Sequence, residues 1–294
     1  MYWGLLGLYK QICMNYNLDN LRFVFFTNEY NIHLIKLTLK YFFKYNNLDN
    51  IKISVISNNY NNVDDLPFKD KVEYLSGNVK FGHNGQHFSE SLKCALPNIK
   101  EDYIFFFCDD YFFVSNTRFD DLEKLMSIIV NENIDYFGFS FLSNELGCEW
   151  KPFVPRNSSF PDDYFYYIDN KYRYLYSVQP TIWKKNSLLE LANTYNFSLH
   201  ELDETLSVMK TQNTFKCVAK NNKLPNYVNT LLTLPENYFI ISYCEIVRHG
   251  VFYHPLNGFH LDSNWVNVKF IDKLVQEENL TNNIAFKKLL HAIK

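Results

Sequence analysis

Short apolar runs alternate with stretches of helical spacing through the N-terminal part of the chain. Leu21–Phe26 and Ile51–Ile56 are apolar runs that end in polar segments, and both are predicted to be strands. Between them, Ile32–Tyr45 interleaves apolar residues with Lys and His at a spacing typical of a helix that packs on a sheet. A strand, a helix and a second strand in this order predict a parallel pair with a right-handed crossover.

The same patterns predict further elements along the chain. One α/β domain results, with a mixed, mainly parallel sheet flanked by helices and an elaborated C-terminal half. Residues 145–170 are rich in Pro, Asn and Asp and are predicted to be loop. The remaining predicted strands are Val72–Leu75, Tyr103–Phe107, Ile134–Phe141 and Tyr172–Val178, and the remaining predicted helices are Phe88–Leu96, Phe119–Val130, Asn186–Asn193, Leu202–Met209 and Phe270–Lys294.

Composition excludes several classes of protein. With 294 residues, 47% of them hydrophobic, the chain can bury a sizeable core. The net charge of −3 and the lack of a basic stripe argue against nucleic acid as a partner. Six scattered cysteines without a CxxC pair argue against a zinc ribbon and are typical of reduced thiols in a cytosolic protein.

The pattern of apolar residues also bears on location. The segment Met1–Cys13 is apolar but lacks the basic region and the cleavage site of a signal peptide. No stretch approaches the roughly 20 apolar residues that cross a bilayer. We therefore expect a cytoplasmic protein with no transmembrane segment and at most a peripheral membrane contact.

Two adjacent carboxylates are the most informative chemical feature. Asp109 and Asp110 directly follow the apolar run Ile104–Phe107 and Cys108, and Tyr-Phe-Phe follows them. The carboxyl ends of strands in open α/β sheets are where ligands bind. Burial of two like charges is costly, and a divalent cation would offset that cost. The pair therefore indicates a metal site for a phosphorylated substrate, although a solvated turn would have the same residue types.

Several segments together carry a resemblance to a known superfamily. They are Phe88-Ser-Glu-Ser-Leu92, the run from Ile99 through the acidic pair to Phe113, Ser177-Val-Gln-Pro-Thr-Ile-Trp183, and His200-Glu-Leu-Asp-Glu204. In this order and spacing the chain resembles GT-A-fold, DxD-type glycosyltransferases of microbial or viral type, over about residues 21–205. Two positions depart from the pattern, because the acidic motif is Asp-Asp-Tyr and His200 stands where the later motif has Trp.

The resemblance implies an activity and a division of the domain. It implies transfer of a hexose or similar sugar from a UDP-, GDP- or dTDP-sugar to a glycan or other hydroxyl acceptor, with Mn²⁺ or Mg²⁺. About residues 21–140 would form the nucleotide-sugar-binding half. About residues 141–294 would form the acceptor-binding half, which ends in a C-terminal helix. Asp110 would be the direct metal ligand, with Asp109 on the sugar, the ribose or the metal. A histidine, His249 or His254, would be a further ligand, and Arg248 could contact a phosphate.

The resemblance also implies contacts to the donor and the acceptor. The residues after the first two strands would face the nucleoside, two residues of the Phe88–Leu96 helix would join the donor site, and two later residues would line the acceptor side. Loop, helix-cap and core-aromatic roles are the alternatives for these positions. The residues in question are Thr27, Glu29, Ser57, Asn58, Ser89, Glu90, Gln179 and Trp183.

An inverting transfer needs a base for the acceptor hydroxyl, and two carboxylates are candidates. Glu201 and Asp203 lie at the N-terminus of a predicted helix. Ser198 and Glu201 also fit a capping box, which would occupy Glu201. Asp203 is then the preferred base, and the presence of a candidate base favours inversion.

Two other functions remain open on sequence alone. A nucleotidyltransferase that makes the nucleotide-sugar would share a strand followed by acidic residues. Such enzymes usually carry a Gly-rich, basic loop after the first strand, but Thr27–Asn31 has neither Gly nor Lys or Arg. A catalytically inactive relative that binds carbohydrate or nucleotide is the third possibility.

Overall fold

The computed structural model describes residues 18–29, 31–46, 51–59, 66–79, 87–113, 116–139, 151–156, 160, 164–168, 175–176, 180–203, 215–220, 243–245, 247–248 and 251–252. Within these ranges no helix is long and apolar enough to cross a membrane. The helices are α1 (Ile32–Tyr45), α2 (His87–Ala95), α3 (Phe119–Asn131), α4 (Lys185–Thr194) and α5 (Leu199–Asp203). The strands are β1 (Leu21–Thr27), β2 (Lys52–Ser57), β3 (Glu73–Ser76), β4 (Tyr103–Cys108), β5 (Tyr111–Phe113), β6 (Tyr136–Gly138), β7 (Lys151–Pro152), β8 (Phe165–Tyr167), β9 (Thr181–Lys184), β10 (Cys217–Lys220), β11 (Tyr243–Glu245), β12 (Val247–Arg248) and β13 (Val251–Phe252).

A nine-stranded sheet in the order β3-β2-β1-β4-β9-β6-β10-β8-β7 organises the described residues. The first four strands in this order are parallel. β9 is antiparallel to both of its neighbours, and β8 is antiparallel to both of its own. The other seven strands therefore run in one direction. This confirms the predicted fold class, a mixed and mainly parallel sheet with helices on its faces.

Both faces of the sheet are covered, and its central strands β1 and β4 are apolar at every position except Arg22 and Thr27. Alternate residues of β1 enter two separate cores, Phe23 and Phe25 on one face and Val24 and Phe26 on the other. Side chains from α1 and α3 complete the first core, and side chains from α2 and α4 complete the second. This arrangement explains why β1 and β4 read as continuous apolar runs rather than as alternating ones.

The structure corrects several predicted elements. Ile134–Phe141 contains a shorter strand, β6, and the described part of Tyr172–Val178, Leu175 and Tyr176, is a bend. A strand that was not predicted, β9, lies between β4 and β6 in the sheet and pairs with both. Residues 145–170, predicted as loop, include the short strands β7 and β8. The predicted helix Phe270–Lys294 lies outside the described residues.

A network of ion pairs joins the amino ends of the parallel strands. Arg22 Nε lies 2.9 Å from one carboxylate oxygen of Glu101, and Lys52 Nζ lies 2.8 Å from the other. A further nitrogen of Arg22 lies 3.1 Å from Glu73. Burial alone would raise the pKa of Glu101, but the hydrogen bonds from Lys52 and Arg22 outweigh it and lower the pKa to about 2. This network is structural, because it lies at the opposite end of the sheet from the acidic pair.

Candidate functional site

The order of the parallel strands creates a crevice at one edge of the sheet. From β1 the chain proceeds outward to β2 and β3, and it then returns to place β4 on the other side of β1. The connections that leave β1 and β4 therefore diverge. In open α/β sheets, ligands bind in the crevice outside the carboxyl ends of strands at such a switch point. We call the ends of these four strands the carboxyl edge, and Thr27 and the Asp109–Asp110 turn lie there.

A hydrogen bond across the switch point holds the first residue of the acidic turn. Thr27 Oγ1 donates to Asp109 Oδ2 at 2.6 Å, and the side chain of Asn31 also bonds to this carboxylate. Thr38 Oγ1 donates to the backbone carbonyl of Asp109. The side chain of Asn31 makes no capping bond to α1, although the residue stands at the N-cap position. These contacts fix Asp109 against β1 and the first turns of α1.

The acidic turn has the chemistry of a site for a hard divalent cation. Asp109 is 8% exposed, and this burial raises the pKa of its carboxyl group to about 6 against the hydrogen bonds from Thr27 and Asn31. Asp110 is only partly buried. Mg²⁺ and similar ions are held by one or two carboxylates together with substrate phosphates. The oxygen ligands present fit this kind of site, with Asp110 as the more accessible carboxylate.

Additional metal ligands are not found in the part of the chain that the structure describes. There, no group of three or more His, Cys, Asp or Glu side chains is arranged to hold one ion. His249 and His254 lie outside the described residues, and for Arg248 only the backbone, in β12, is described. The backbone of β11 pairs with β5 so that Glu245 stands opposite Tyr111, the residue after the acidic turn. The backbone of Tyr243–Glu245 therefore lies beside the residues that directly follow the acidic turn.

Asn58 ties together the loops that follow the first three strands. Its Oδ1 accepts a 3.0 Å hydrogen bond from the backbone N–H of Glu29, and its Nδ2 donates to the carbonyl of Val79 at 3.2 Å. Ser57 Oγ donates to the carbonyl of Asn59 at 2.8 Å. Both side chains are buried, so they shape the loops rather than present free groups to a nucleoside. Glu29 is only partly buried and is the accessible side chain of this predicted set.

The predicted donor residues of α2 have internal partners. Ser89 Oγ donates to Asn196 Oδ1 at 2.9 Å and accepts from the Phe197 N–H at 3.0 Å. The Ser89 N–H donates to the Phe197 carbonyl at 3.2 Å. Glu90 lies 2.6 Å from Lys93 in an ion pair on the same helix. Ser89 is fully buried, so it joins two elements of the fold instead of facing a ligand.

The predicted acceptor-side residues fall in two places. Trp183 is 1% exposed and packs against the rings of Tyr136 and Tyr176, whose centroids lie 4.7 Å and 5.3 Å from its own. Trp183 is therefore a core aromatic residue, the role that was the alternative to a contact with the acceptor sugar. Gln179 lies outside the described residues.

The capping box distinguishes the two candidate bases, because Glu201 takes part in it. The Ser198 N–H donates to Glu201 Oε2 at 2.7 Å, and the Glu201 N–H donates to Ser198 Oγ at 3.2 Å. This is the reciprocal arrangement of a capping box, and it explains why α5 begins at Leu199, earlier than predicted. Asp203 is the last residue of α5, and the structure describes its backbone.

Three hydrogen-bond partners of the predicted site residues were not predicted from the sequence. Asn31 precedes a helix and has the residue type of an ordinary cap, and Asn196 is a polar residue in a loop. Thr38 did carry a signal, because it is a hydroxyl residue on the buried face of an otherwise apolar helix surface. Such a residue needs a hydrogen-bond partner, and here the hydroxyl reaches the local carbonyl of Leu34 and the carbonyl of Asp109, 71 positions away.

Fold and site together define an open α/β protein with an acidic turn at the topological switch point of its sheet. No protein-family model matches the chain, and no curated protein matches it. Solved structures do show similarity. Staphylococcus aureus TarS (residues 1–349), in complex with UDP-GlcNAc, is 14% identical and has a TM-score of 0.40, with 69% of this chain and 56% of that chain covered.

Two further structures show similarity at the same level. The bifunctional IspDF from Campylobacter jejuni is 13% identical with a TM-score of 0.39, and 69% of this chain and 50% of that chain are covered. A197 from STIV is 11% identical with a TM-score of 0.39, and 78% of this chain and 86% of that chain are covered. The chain spans about half the length of IspDF and of TarS. At TM-scores below 0.5 these similarities carry no conclusion about activity.

Proposed function

We propose that this chain is a metal-dependent glycosyltransferase, which moves a sugar from a nucleotide-diphospho-sugar to a hydroxyl acceptor. The observation that supports this most directly is the hydrogen bond between Thr27 and Asp109 across the switch point between β1 and β4. It places a buried carboxylate, and a more accessible one beside it, where an open α/β sheet binds a phosphorylated ligand.

The surroundings of the acidic turn suit a diphosphate. Both α1 and α2 begin at the carboxyl edge, since each follows a strand that ends there. The amino ends of helices carry partial positive charge and favour anions. The first turn of α1 has no acidic residue that would oppose this effect. The first turn of α2 contains Glu90, so a diphosphate near Asp110 would meet the favourable dipole of α1 in addition to a cation.

The roles of the two carboxylates follow from their contacts. Asp110 would hold the metal ion, and Asp109, fixed by Thr27 and Asn31, would set the position of the turn. The ion, when bound, would stabilise the negative charge that develops on the departing diphosphate. The partly buried Glu29 would accept hydrogen bonds from ribose hydroxyls, because it lies in the loop after β1 at the same edge.

The transfer itself requires a base, and Asp203 is the proposed one. Its carboxylate would take the proton of the acceptor hydroxyl while that oxygen bonds to the anomeric carbon. The bond from the anomeric carbon to the diphosphate oxygen would break at the same time, and the electron pair would leave with the nucleoside diphosphate. Glu201 is less suited to this role because its carboxylate accepts the hydrogen bond of the capping box.

The C-terminal strands add candidate contacts. β11 pairs with β5, and Glu245 stands opposite Tyr111, the residue after the acidic turn. Arg248 would then contact a phosphate, and His249 would be a further metal ligand, as the resemblance to GT-A enzymes implies. The proposed reaction is transfer of the sugar with inversion at the anomeric carbon.

The experiment that tests the proposal is a donor panel. Purified protein with Mn²⁺ is incubated with UDP-, GDP- and dTDP-sugars, and released nucleoside diphosphate is measured. We expect release from one nucleotide class, lost in EDTA and in Asp110→Asn. Release of pyrophosphate from a nucleoside triphosphate and a sugar 1-phosphate would instead show a nucleotidyltransferase. No release from any donor would contradict catalysis and favour a binding protein.

A further inference from the structure

A buried serine connects the donor-side helix α2 to the segment that carries the candidate base. Ser89 makes three hydrogen bonds to Asn196 and Phe197, which are more than 100 positions away in the sequence. We call these three bonds the Ser89 clamp. Phe88 and Phe197 pack beside them, with ring centroids 5.9 Å apart. Ser89 and Phe197 are buried and Asn196 is exposed, so the clamp joins the two elements from the interior out to the surface.

The clamp lies at the carboxyl edge of the sheet. The ring of Phe88 contacts that of Phe26, the next-to-last residue of β1, with centroids 4.6 Å apart. Ser91, one half-turn further along α2, lies against Gly77, which directly follows β3. The first turns of α2 are therefore seated at the ends of β1 and β3, close to the strand ends that form the candidate site.

On the other side, the clamp fixes the start of α5. Phe197 is held through both its N–H and its carbonyl, and Ser198 follows it immediately as the capping residue of α5. The capping box then sets the direction of the helix that contains Glu201 and Asp203. Two rigid contacts in succession leave α5 little freedom relative to the carboxyl edge.

From this geometry we infer that Ser89 is a positioning residue for the transfer step, because it sets the place of α5 and of Asp203 relative to the donor site. The inference rests on the proposed function. Ser89 would touch neither the donor nor the acceptor, since it is fully buried. Its effect would appear in the rate of transfer and not in the affinity for the nucleotide, because the acidic turn is held by other residues.

The test compares Ser89→Ala with Ser187→Ala, a second buried serine, whose side-chain hydrogen bond to Asp135 lies at the opposite edge of the sheet. With the donor that releases nucleotide in the panel, we expect Ser89→Ala to lower kcat by about 10-fold or more, since small misplacements of catalytic groups cost rate steeply. The KM for the donor should stay within about twofold. Ser187→Ala should retain both values.

A milder pair of variants covers the case in which Ser89→Ala folds poorly. Asn196 is exposed and supplies only an acceptor oxygen to the clamp. We expect Asn196→Ala to lower kcat, and Asn196→Asp, which keeps the acceptor, to restore it. A kcat unchanged in both Ser89→Ala and Asn196→Ala, or a loss that appears in donor KM instead, would overturn the inference.

A measurement without substrate separates the inference from the proposed function. Amide hydrogen exchange should become faster over residues 197–203 in Ser89→Ala and stay unchanged over β4. If no donor releases nucleotide, the proposed function fails, and the exchange data still decide whether Ser89 orders α5. Unchanged exchange over residues 197–203 would overturn the inference whatever the activity.

Discussion

Thr27 and Asp109, which are 82 positions apart in the sequence, are joined by a 2.6 Å hydrogen bond between the hydroxyl of one and the carboxylate of the other. Each ends or follows one of two neighbouring parallel strands, and the connections from these strands diverge. The bond therefore joins the two strand ends that lie at the bottom of the crevice at the switch point. It also supplies part of the compensation that a buried carboxylate requires.

Removal of the Thr27 hydroxyl should weaken both the fold and the site. Val has nearly the same shape as Thr but lacks the hydroxyl, so in Thr27→Val the buried Asp109 carboxylate loses a hydrogen-bond donor. We expect this loss to cost about 1–3 kcal/mol of unfolding free energy. Mn²⁺-dependent binding of nucleoside diphosphate, measured by calorimetry, should weaken because the acidic turn is less well fixed. Thr27→Ser keeps the hydroxyl and is the matched control, and equal stability of the Val and Ser variants would contradict this role.

Asp110 should be the carboxylate on which metal-dependent binding most depends. Asp110→Asn removes a charge from the accessible position, and we expect UDP or GDP affinity in Mn²⁺ to fall by about 10-fold or more. Asp120→Asn, an exposed carboxylate in the first turn of α3, is the control and should bind as the unchanged protein does. Binding that survives in Asp110→Asn would show that the ion, or the nucleotide, is held elsewhere.

The sequence predicted the elements whose patterns are local. Ile32–Tyr45 was predicted with the bounds that α1 has, because its apolar residues recur at helical spacing over 14 residues. β9 was missed because it leads directly into α4, with no turn residues between the strand and the helix. Its place is set by pairing with β4 and β6, which are distant in the sequence.

The candidate site was predicted by position more successfully than by role. Asp109 and Thr27 do lie at the carboxyl edge, since a strand end can be located from its apolar run. Thr27 donates its hydroxyl to Asp109, and the other partners of Asp109 are Asn31, at the N-cap position of α1, and Thr38, within α1. Such partnerships depend on which face of a strand meets which helix, and residue types alone do not specify this.

The capping box predicts a sharp difference between the two candidate bases. Gln can accept the hydrogen bond from the Ser198 N–H as Glu does, so Glu201→Gln should keep both helix α5 and transfer activity. Asp203→Asn should lose transfer while donor binding is retained, because an amide cannot take the acceptor proton. Steady-state kinetics and nucleotide calorimetry on both variants check this. Activity retained in Asp203→Asn would eliminate it as the base.

Acid should destabilise the protein through Glu101 at the opposite edge of the sheet. The pKa of Glu101 is lowered from 4.5 to about 2 in the fold. A carboxyl group with a lowered pKa stabilises the folded state above its unfolded pKa, and this contribution is lost as the pH falls from about 4.5 towards 2. Glu101→Gln should thus cost about 2 kcal/mol of unfolding free energy at pH 7 and flatten the dependence on pH in that window.

The neighbouring Glu73 provides the comparison for this acid effect. Its side chain is 46% exposed and shares Arg22 with Glu101, whose side chain is 4% exposed. An exposed ion pair contributes less than about 1 kcal/mol, so Glu73→Gln should change stability little. Urea unfolding of the three proteins between pH 2.5 and pH 7 measures the difference. Equal losses in the two variants would show that net charge, and not the buried pairing of Glu101 with Arg22 and Lys52, sets the acid sensitivity.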